Sequence, residues 1–462
     1  MSELSVSATA IDGLLVVSLP VHGDNRGWFK ENWQREKMVA LGLPDFGPVQ
    51  QNVSFNARAG AVRGLHAEPW DKLVSVLTGR VFGAWVDLRS GPGFGRVVTH
   101  EVDAATAVFV PRGVANGFQV LEDATAYSYL VNDHWSAAAR DSYVFVNLAD
   151  PALGIDWPLP LGEMSDADRA HPPLSAVEPV AVSRPVVLGA GGQVGRGLAG
   201  VLPAADFLDH PHVDLSSPAS VRAADWSSYD LIVNAAAYTA VDLAETPEGR
   251  RDAWAVNVAG VGTLVDVARA RRATLVHASS DYVFDGTVEE HDEEEPFSPL
   301  GVYGQTKAAG DALVSSLPRH YLLRTSWVVG EGKNFVRTMA SLADSGACPA
   351  VVDDQVGRLT FASEIARAIE HLTSSRAPFG TYNLTCSGPA ASWADIAAAV
   401  FEARGRSASD VRRVSTADWA ATATGPVAPR PQHSTLALEK ISATGFTPRD
   451  WRALLRDHLA GR

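Results

Sequence analysis

Three glycines spaced three residues apart, Gly189, Gly192 and Gly195, follow an apolar run at residues 185–188 and open a helical pattern at residues 194–201. Glycine permits the sharp turn from strand to helix, and its missing side chain lets backbone amides approach a pyrophosphate at a helix N-terminus. The spacing alone is a weak signal. With a strand before it and a helix after it, the loop predicts the first βα unit of a dinucleotide-binding domain.

Apolar strands and helices continue to alternate after this loop. Runs at residues 231–234 and 273–277 predict buried strands. Between them, Thr246 and Pro247 supply a helix N-cap and a first-turn proline. Strands that alternate with helices are typical of a doubly wound parallel sheet, so we expect an α/β Rossmann domain at residues 185–462.

The chain before this domain has a β-rich pattern. Short alternating runs such as residues 81–88 and 126–131 are separated by turn signals such as residues 90–93. This pattern predicts an all-β sandwich or barrel at residues 1–175, with one helix near residues 34–41. The join at residues 171–185 is rich in proline and poor in bulky side chains, which predicts a linker between two domains at residues 176–184.

Composition excludes several classes of partner. The net charge is −14 over 462 residues, which argues against a nucleic-acid groove or an anionic membrane surface as a partner. The sequence contains no apolar run of about 18 residues, so we expect no membrane span. Cys348 and Cys386 are the only cysteines and lack a metal-ligand spacing, which predicts reduced thiols in a cytoplasmic protein without a bound metal.

Tyr303 and Lys307 lie four residues apart in a segment that Ser298 and Pro299 begin, so on a helix they share a face. A lysine ammonium beside a phenol lowers the pKa of the phenol from about 10 toward neutrality. The tyrosine can then give a proton to a carbonyl oxygen as a hydride reaches the carbon. Ser280 ends a predicted strand, where its hydroxyl can orient that carbonyl. These residues predict hydride transfer to or from a sugar carbonyl.

Seven segments of this half occur in one order: residues 189–195, 234–242, 279–286, 302–307, 323–328, 353–357 and 430–434. Together they resemble the dTDP-4-dehydrorhamnose reductase family of extended short-chain dehydrogenases. The resemblance implies a small C-terminal substrate-binding subdomain. It makes Ser280, Tyr303 and Lys307 the catalytic triad, with serine where the family often has threonine. It also implies that Trp327 and Arg430 contact the nucleotide-sugar.

The same resemblance implies a nicotinamide cofactor. The residues expected to bind it are Gly189, Gly192, Gln193, Val194, Gly195, Asp209, Ala235, Ala236, Tyr303 and Lys307. Asp209 follows the second predicted strand, where a carboxylate can accept a ribose hydroxyl and favour NADH. The family generally uses NADPH and sometimes tolerates NADH, so we expect NADPH.

The β-rich half carries candidate acid–base residues. Removing a proton beside a ketone needs a placed base and a cation or donor at the developing enolate oxygen. His66 held by the carboxylate of Asp168 can supply the base, and Lys72 can stabilise the oxyanion. Tyr129 on the opposite face can return a proton and so invert the carbon. From spacing alone this assignment is weak, because a single histidine among strands is more often structural.

Further segments of this half are residues 24–31, 50–54, 62–66, 72–74, 86–89, 150–151 and 154–158. They resemble the dTDP-4-dehydrorhamnose 3,5-epimerase family, which has a cupin-type jelly roll. The resemblance implies that His66 is the base paired with Asp168, that Lys72 stabilises the enolate and that Tyr129 is the acid. The residues that it assigns to nucleotide-sugar binding are Arg26, Glu31, Gln50, Asn52 and Arg63.

Several positions depart from the family pattern. Asn116 replaces the usual histidine of an Ala-His-Gly-Phe segment; it can hydrogen-bond the substrate but cannot carry a proton. Trp135 stands where the family has tyrosine, and Ala67 and Glu68 replace a tyrosine and a glutamine. These changes affect substrate contacts more than the acid and base, and they leave three alternatives open: epimerisation at one carbon only, a related 6-deoxy-hexose product, or a binding or dimerisation module.

We therefore expect a bifunctional enzyme of dTDP-L-rhamnose biosynthesis. The first half would epimerise dTDP-4-dehydro-6-deoxy-D-glucose at both carbons beside the ketone, and the second would reduce the resulting dTDP-4-dehydro-L-rhamnose. A non-catalytic regulatory protein on a dehydrogenase fold is disfavoured by the intact Ser280, Tyr303 and Lys307. Because jelly-roll relatives pair, we also expect a homodimer formed through the first half.

Overall fold

The computed structural model describes residues 3–140, 142–375 and 377–460. The chain divides into two compact units, Met1–Val182 and Ser183–Arg462. Within the described residues, no helix combines the length and the apolar character that crossing a bilayer requires.

The first unit is built from antiparallel strands. Its described strands are β1 Ser5–Ala8, β2 Leu15–Ser18, β3 Val21–Asp24, β4 Gly27–Lys30, β5 Gln50–Asn56, β6 Val62–Ala67, β7 Lys72–Thr78, β8 Val81–Asp87, β9 Val97–Val102, β10 Thr106–Val110, β11 Val114–Val120, β12 Thr125–Val131 and β13 Val144–Phe145. Its described helices are α1 Arg35–Ala40, α2 Ala137–Arg140 and α3 Asp166–Arg169.

These strands form two sheets that pack face to face. One sheet has the order β1-β2-β10-β7-β12-β5, and the other has the order β13-β6-β11-β8-β9. Val74 and Val108 from the first sheet share one core with Trp85 and Phe118 from the second. The predicted all-β jelly roll is confirmed, and so is its helix, which Gln34 caps by accepting the Lys37 N–H.

The second unit alternates strands and helices. Its described strands are β14 Arg184–Leu188, β15 Asp206–Leu208, β16 Tyr229–Asn234, β17 Thr274–Ser280, β18 His320–Thr325, β19 Val328–Val329, β20 Ala350–Val352, β21 Val356–Gly357, β22 Thr360–Phe361, β23 Gly380–Asn383, β24 Ala391–Ser392, β25 Arg412–Val414 and β26 His433–Ser434. Its described helices are α4 Gln193–Leu198, α5 Pro218–Ala223, α6 Pro247–Trp254, α7 Val261–Arg271, α8 Val302–Ser315, α9 Phe335–Asp344, α10 Ala362–Ser374, α11 Trp393–Ala403, α12 Thr416–Ala421, α13 Glu439–Ala443 and α14 Trp451–Ala460.

The main sheet of this unit is parallel, with the order β15-β14-β16-β17-β18-β23. Strand β14 shows why both faces are apolar: Val186 packs in a core with Leu264 of α7, whereas Val187 packs in another with Ile369 of α10. Because side chains alternate along a strand, these two valines lie on opposite faces of the sheet, and helices therefore cover both faces. The predicted Rossmann fold is confirmed.

A third core lies in the C-terminal part of this unit. It joins Met339 of α9, Val400 and Phe401 of α11 and Leu455 of α14. This core forms the small subdomain beside the parallel sheet, as the resemblance implies.

The predicted linker at residues 176–184 is partly folded onto the first unit. Val177 is buried in a core of that unit, and Val180 forms a β-bridge with Arg89. At the other end, Arg184 already pairs in the sheet of the second unit. The boundary between the two units therefore falls between Val182 and Ser183. A short segment separates Val180, which pairs with the first unit, from Arg184, which pairs with the second.

Candidate active sites

A cleft of about 1200 Å³ opens in the first unit, between strands of both sheets and helix α3. Residues assigned from the sequence that line it are His66, Lys72, Tyr129, Asp168, Arg63, Asn116 and Trp135. Other side chains of the lining include Glu68, Tyr143, Phe145 and His171. The four proposed acid–base and oxyanion groups thus share one cavity, although 102 residues separate His66 from Asp168 in the chain.

His66 and Asp168 form the pair expected of a base and its carboxylate. His66 Nε2 lies 3.1 Å from Asp168 Oδ1. Asp168 is nearly buried and is positioned by its own helix, because the Ser165 hydroxyl accepts the Asp168 backbone N–H at 3.1 Å. Burial raises the pKa of Asp168, but the hydrogen bond from His66 and the charges of His66 and His171 hold it below its ordinary value. The carboxylate is therefore ionised and can orient the imidazole.

A second histidine, which the sequence analysis missed, shares this carboxylate. His171 Nε2 lies 3.8 Å from Asp168 Oδ1, and its ring stacks on Phe145 with centroids 4.7 Å apart. Burial and the nearby His66 lower the pKa of His171. Ligand-type atoms of His66, Asp168 and His171 all lie within 4.8 Å of one another, a grouping that no sequence spacing indicates. His171 begins the proline-rich segment, where no motif marks it.

Lys72 is paired within the cleft. Its ammonium lies 2.8 Å from Glu68 Oε2, and both side chains are largely buried. The same oxygen accepts the Trp70 Nε1–H at 2.7 Å. A substrate enolate at Lys72 would therefore share the ammonium with Glu68, which weakens the net positive charge available to it. Glu68 therefore contacts Lys72, the residue that the resemblance assigns to the enolate.

Tyr129 faces the same cleft from β12. Burial and the negative charge of Glu68 raise its pKa, and Arg63 opposes them. Tyr143 has its pKa raised by the same two causes. Both phenols are consequently protonated at neutral pH and able to donate. Arg63 itself is oriented by donating from Nε to Asn56 Oδ1 at 3.0 Å.

Asn116 stands directly opposite His66 in the register of β11 and β6. Its Oδ1 accepts the hydroxyl of Tyr127 at 3.2 Å. Tyr127 is buried and stacks on Phe118 with centroids 4.1 Å apart. The asparagine is therefore held by a buried tyrosine where it lines the cleft.

Four residues assigned to nucleotide-sugar binding are placed differently. Among the residues that line the cleft, Arg26, Glu31, Gln50 and Asn52 are absent. Arg26 is exposed and pairs with Asp24, and Glu31 pairs with Lys37. Gln50 and Asn52 lie on the edge strand β5 and hydrogen-bond each other. Gln50 also accepts the backbone N–H of Trp135, a lining residue, and so borders the cleft.

In the second unit, the glycine loop joins β14 to α4. Gly189 has φ +79°, and a Cβ there would lie 2.8 Å from the backbone of Ala236. Ala235 donates its N–H to Leu188 O, which fixes the turn after β16 beside the loop. Gly192 is the N-cap of α4. Only backbone forms this cradle, and it fits the close approach of a dinucleotide pyrophosphate.

Polar side chains border the loop. Asp209 Oδ1 accepts the Gly191 N–H at 2.9 Å. His210 beside it is exposed and lies 3.4 Å from Asp214. The side chain of Gln193 is engaged within the protein, because its Oε1 accepts the N–H of Gly330 at 2.8 Å. Val194 is partly buried against a core of the sheet.

Ser280, Tyr303 and Lys307 come together at the carboxyl end of the sheet. Ser280 ends β17, and Tyr303 and Lys307 lie on one face of α8. The Ser280 hydroxyl donates to Asp281 Oδ1 at 2.9 Å and is close enough to Tyr303 to lower the pKa of its phenol. The Tyr303 ring packs edge-on against Tyr282, with centroids 5.7 Å apart. Helix α8 begins at Val302, about one turn after the Ser298-Pro299 signal.

The expected effect of Lys307 on the tyrosine is not found. Burial, and then the charge of Asp281, raise the pKa of Tyr303 above its ordinary value, and only Ser280 lowers it. Lys307 instead points into the sheet, where its Nζ donates to Ala278 O at 2.8 Å and lies 3.2 Å from His277 Nε2. The prediction of a near-neutral tyrosine pKa was wrong because desolvation outweighs a cation that is itself engaged elsewhere.

Arg430 and Trp327 differ in their distance from this centre. Arg430 pairs with Asp242 at 2.9 Å and interacts with the Tyr282 hydroxyl, and the Tyr282 ring packs against Tyr303. Trp327 has φ +45° and stacks on Trp393 with centroids 3.8 Å apart. It packs against the core of the C-terminal subdomain and does not line the small pocket beside Tyr303.

Comparisons with known proteins match both units. The family model described as RmlD substrate binding domain matches residues 184–461, and that of dTDP-4-dehydrorhamnose 3,5-epimerase matches residues 8–176. The protein RmlC homolog of Streptococcus pyogenes is 56% identical over 176 residues, which are 37% of this chain and 89% of that protein.

Two reductases resemble the second unit. The dTDP-4-dehydrorhamnose reductase of Aggregatibacter actinomycetemcomitans is 36% identical over 296 residues, which are 60% of this chain and 98% of that protein. The crystal structure of dTDP-4-dehydrorhamnose reductase from Bacillus anthracis, in complex with NADP, is 28% identical with a TM-score of 0.55 and covers 61% of this chain and 100% of its own.

Proposed function

We propose roles for His66 and Tyr303 in a chain that belongs to two families. It belongs to the dTDP-4-dehydrorhamnose 3,5-epimerase family over residues 8–176 and to the RmlD reductase family over residues 184–461. In this proposal, His66 and Tyr303 are the central residues of its two reactions. The chain carries an epimerase domain and a reductase domain, consistent with bifunctional dTDP-L-rhamnose biosynthesis. The observation that supports the residue assignment is that each unit gathers its acid–base groups around one position.

In the first unit, His66 takes a proton from a carbon beside the ketone of dTDP-4-dehydro-6-deoxy-D-glucose. The electrons move to the carbonyl oxygen, where Lys72 stabilises the enolate. Tyr129 gives its proton to the carbon from the other face, and the stereocentre inverts. Repetition at the second flanking carbon gives dTDP-4-dehydro-L-rhamnose. Asp168 supports the imidazolium that forms.

In the second unit, NADPH bound at the glycine loop would supply the hydride. Tyr303 gives its phenolic proton to the oxygen of the 4-keto group, and the Ser280 hydroxyl orients that oxygen. Arg430, beside Tyr282, is placed to hold an anionic part of the nucleotide-sugar. We place Trp327 at the edge of the substrate site, where the C-terminal subdomain faces the sheet, and the enzyme itself in the cytoplasm.

The test is hydrogen exchange followed by reduction. The purified chain is incubated with dTDP-4-dehydro-6-deoxy-D-glucose in heavy water and followed by NMR, first without and then with NADPH. We expect deuterium at both carbons beside the ketone, then dTDP-L-rhamnose. Exchange at only one of these carbons would mean that the first unit epimerises that carbon alone. Absence of exchange, with reduction of separately prepared dTDP-4-dehydro-L-rhamnose, would reduce the first unit to a binding module.

Asp209 should discriminate between the two cofactors. Its carboxylate lies at the glycine loop, where the ribose 2′-phosphate of NADPH would meet a like charge. For Asp209→Asn, which can still accept the Gly191 N–H, we expect the KM for NADPH to fall about fivefold relative to that for NADH, since one screened charge contact contributes about 1 kcal/mol. Asp225→Asn, an exposed charge change that leaves this loop untouched, is the control. Equal changes in both KM values would contradict this role.

A homodimer through the first unit would complete its cleft. Strand β5 is an edge strand whose Val53 and Phe55 are exposed, and Trp28 and Phe29 on the β3–β4 hairpin are exposed as well. An apolar edge of this kind is typical of a pairing surface. Pairing there would bring Arg26 of one protomer toward the cleft of its partner.

Lysine at the edge strand should separate the protomers. For Val53→Lys with Phe55→Lys, we expect the mass measured by light scattering to fall from two chains to one, because like charges would face each other across the symmetric interface. Val288→Lys, at an equally exposed valine of the second unit, should leave the mass unchanged. A double variant that stays dimeric would place the interface elsewhere.

A further inference from the structure

The amine of Lys307 lies in a buried polar chain behind the catalytic tyrosine. Lys307 is 2% exposed, and His277 and Asn234 are each 1% exposed. Nζ lies 3.2 Å from His277 Nε2, and His277 Nδ1 lies 3.0 Å from Asn234 Nδ2. The three side chains come from α8, β17 and β16. None of the sequence motifs marks His277, and the reaction described above does not use it.

The orientation of the Asn234 amide decides which histidine tautomer fits. Asn234 Oδ1 accepts the backbone N–H of Ala236 at 3.1 Å, a group that can only donate. The amide nitrogen therefore faces the imidazole, and it donates to Nδ1. Burial and the neighbouring lysine lower the pKa of His277 well below its ordinary value, so the ring is neutral. A neutral ring that accepts at Nδ1 carries its proton on Nε2.

This tautomer conflicts with a charged lysine. An ammonium has only donors, so Lys307-NH3⁺ and His277 Nε2–H would face each other as two donors. The other tautomer would accept from the ammonium but would set Nδ1–H against the Asn234 amide. A neutral Lys307 amine satisfies every group: it donates to Ala278 O and accepts from Nε2–H.

We propose that Asn234 and His277 are positioning residues that lower the proton affinity of Lys307, which lies four residues after Tyr303 on α8. The tautomer of His277 changes with that proton: Nε2–H accompanies the neutral amine, and Nδ1–H accompanies the ammonium. The proposal rests on the assignment of Lys307 to catalysis for its effect on rate, but the tautomer itself does not depend on that assignment.

Other charged groups around Lys307 set the background. Burial lowers its pKa to about 8, and Asp311, one turn further along α8, opposes that shift. Asp311 is itself paired with Arg324 of β18 at 3.1 Å and hydrogen-bonded to Ser279 of β17. On the side of Tyr303, Asp281 is buried, and burial raises its pKa to about 6. None of these groups contacts His277 through a hydrogen bond, so variants of His277 leave them in place.

Two variants should move the alkaline limb of the reduction in the same direction. The ammonium is present below the pKa of Lys307 and is lost above it, so kcat/KM for NADPH-dependent reduction falls as the pH rises through about 8. In His277→Gln, the amide oxygen can accept from the ammonium. In Asn234→Asp, the carboxylate accepts both the Ala236 N–H and Nδ1–H, which frees Nε2 to accept. We expect the limb to move upward by roughly one pH unit in each.

The independent readout is the imidazole itself. The full chain is labelled with ¹⁵N-histidine for nitrogen NMR, and the His277 signals are identified by their loss in His277→Gln. In the unmodified chain, they should show Nε2–H above pH 8.5, about half a unit above the limb. In Asn234→Asp, they should show Nδ1–H at every pH. His320→Gln is the matched control: His320 is a buried histidine of the next strand whose ring contacts Leu317 O, and its loss should leave the limb in place.

Each result bears on the proposal. Nδ1–H in the unmodified chain above the limb would overturn it, as would a limb that stays in place in both variants. If the tautomer behaves as expected but Tyr303→Phe still reduces the substrate, the catalytic assignment is overturned. The coupling of His277 to Lys307 would then still hold.

Discussion

Tyr303→Phe is expected to lower kcat for the reduction of dTDP-4-dehydro-L-rhamnose by roughly 10²- to 10⁴-fold, with little change in the KM of NADPH. The phenol is the acid that meets the developing alkoxide, and phenylalanine keeps the ring that packs on Tyr282. The loss should therefore fall on the chemical step and not on binding. Single-turnover rates of cofactor oxidation, measured at saturating substrate, check this result.

The control for this variant is another buried tyrosine of the same unit. Tyr321 donates its hydroxyl to Ala377 O, and Tyr321→Phe removes a hydroxyl without touching the catalytic helix. It should retain reduction within a fewfold. Deuterium exchange by the first unit should persist in Tyr303→Phe, because its acid–base groups all lie within residues 63–171. A phenylalanine variant that still reduces at a normal rate would move the acid to Ser280 or to a water.

The folds of both units could be predicted because their signals are local. The glycine loop needs a strand before it and a helix after it, and Thr246 caps α6 by accepting the Gly249 N–H, just as the sequence indicates. Alternating strands in the first unit likewise follow from short-range patterning. The segment around Val177 was harder to interpret: its prolines suggest a linker, but one apolar side chain fills a core whose other members are distant in sequence.

The catalytic residues could be named only where a motif or a resemblance marks them. His66, Asp168, Tyr303 and Lys307 were named in this way. The groups around them were not, because their roles arise from packing: His171 stands among prolines, and His277 lies in an ordinary apolar strand. The Tyr303 pKa shows the same limit, since spacing reveals the cation but not the burial that outweighs it.

The epimerase half provides the second large effect, and its two histidines make that test sharp. His66 and His171 face one carboxylate, at 3.1 and 3.8 Å from Asp168 Oδ1. Of these two rings, only His66 lies within hydrogen-bond distance of Asp168, and its side chain is 32% exposed, against 9% for His171. A base needs both a carboxylate partner and access to the substrate, which favours His66 over a ring stacked on Phe145.

His66→Asn is therefore expected to lower deuterium incorporation at both carbons beside the ketone by roughly 10²- to 10⁴-fold, because the amide keeps a donor toward Asp168 but accepts no proton from carbon. His171→Asn should cost no more than about tenfold, the effect of disturbing the orientation of a neighbour. NMR in heavy water without NADPH measures both, and reduction of prepared dTDP-4-dehydro-L-rhamnose verifies that the second unit is intact. The reverse order of losses would make His171 the base and His66 its support. Loss at only one carbon in His66→Asn would require a second base in the cleft, for which Glu68, held 2.8 Å from Lys72, is a candidate.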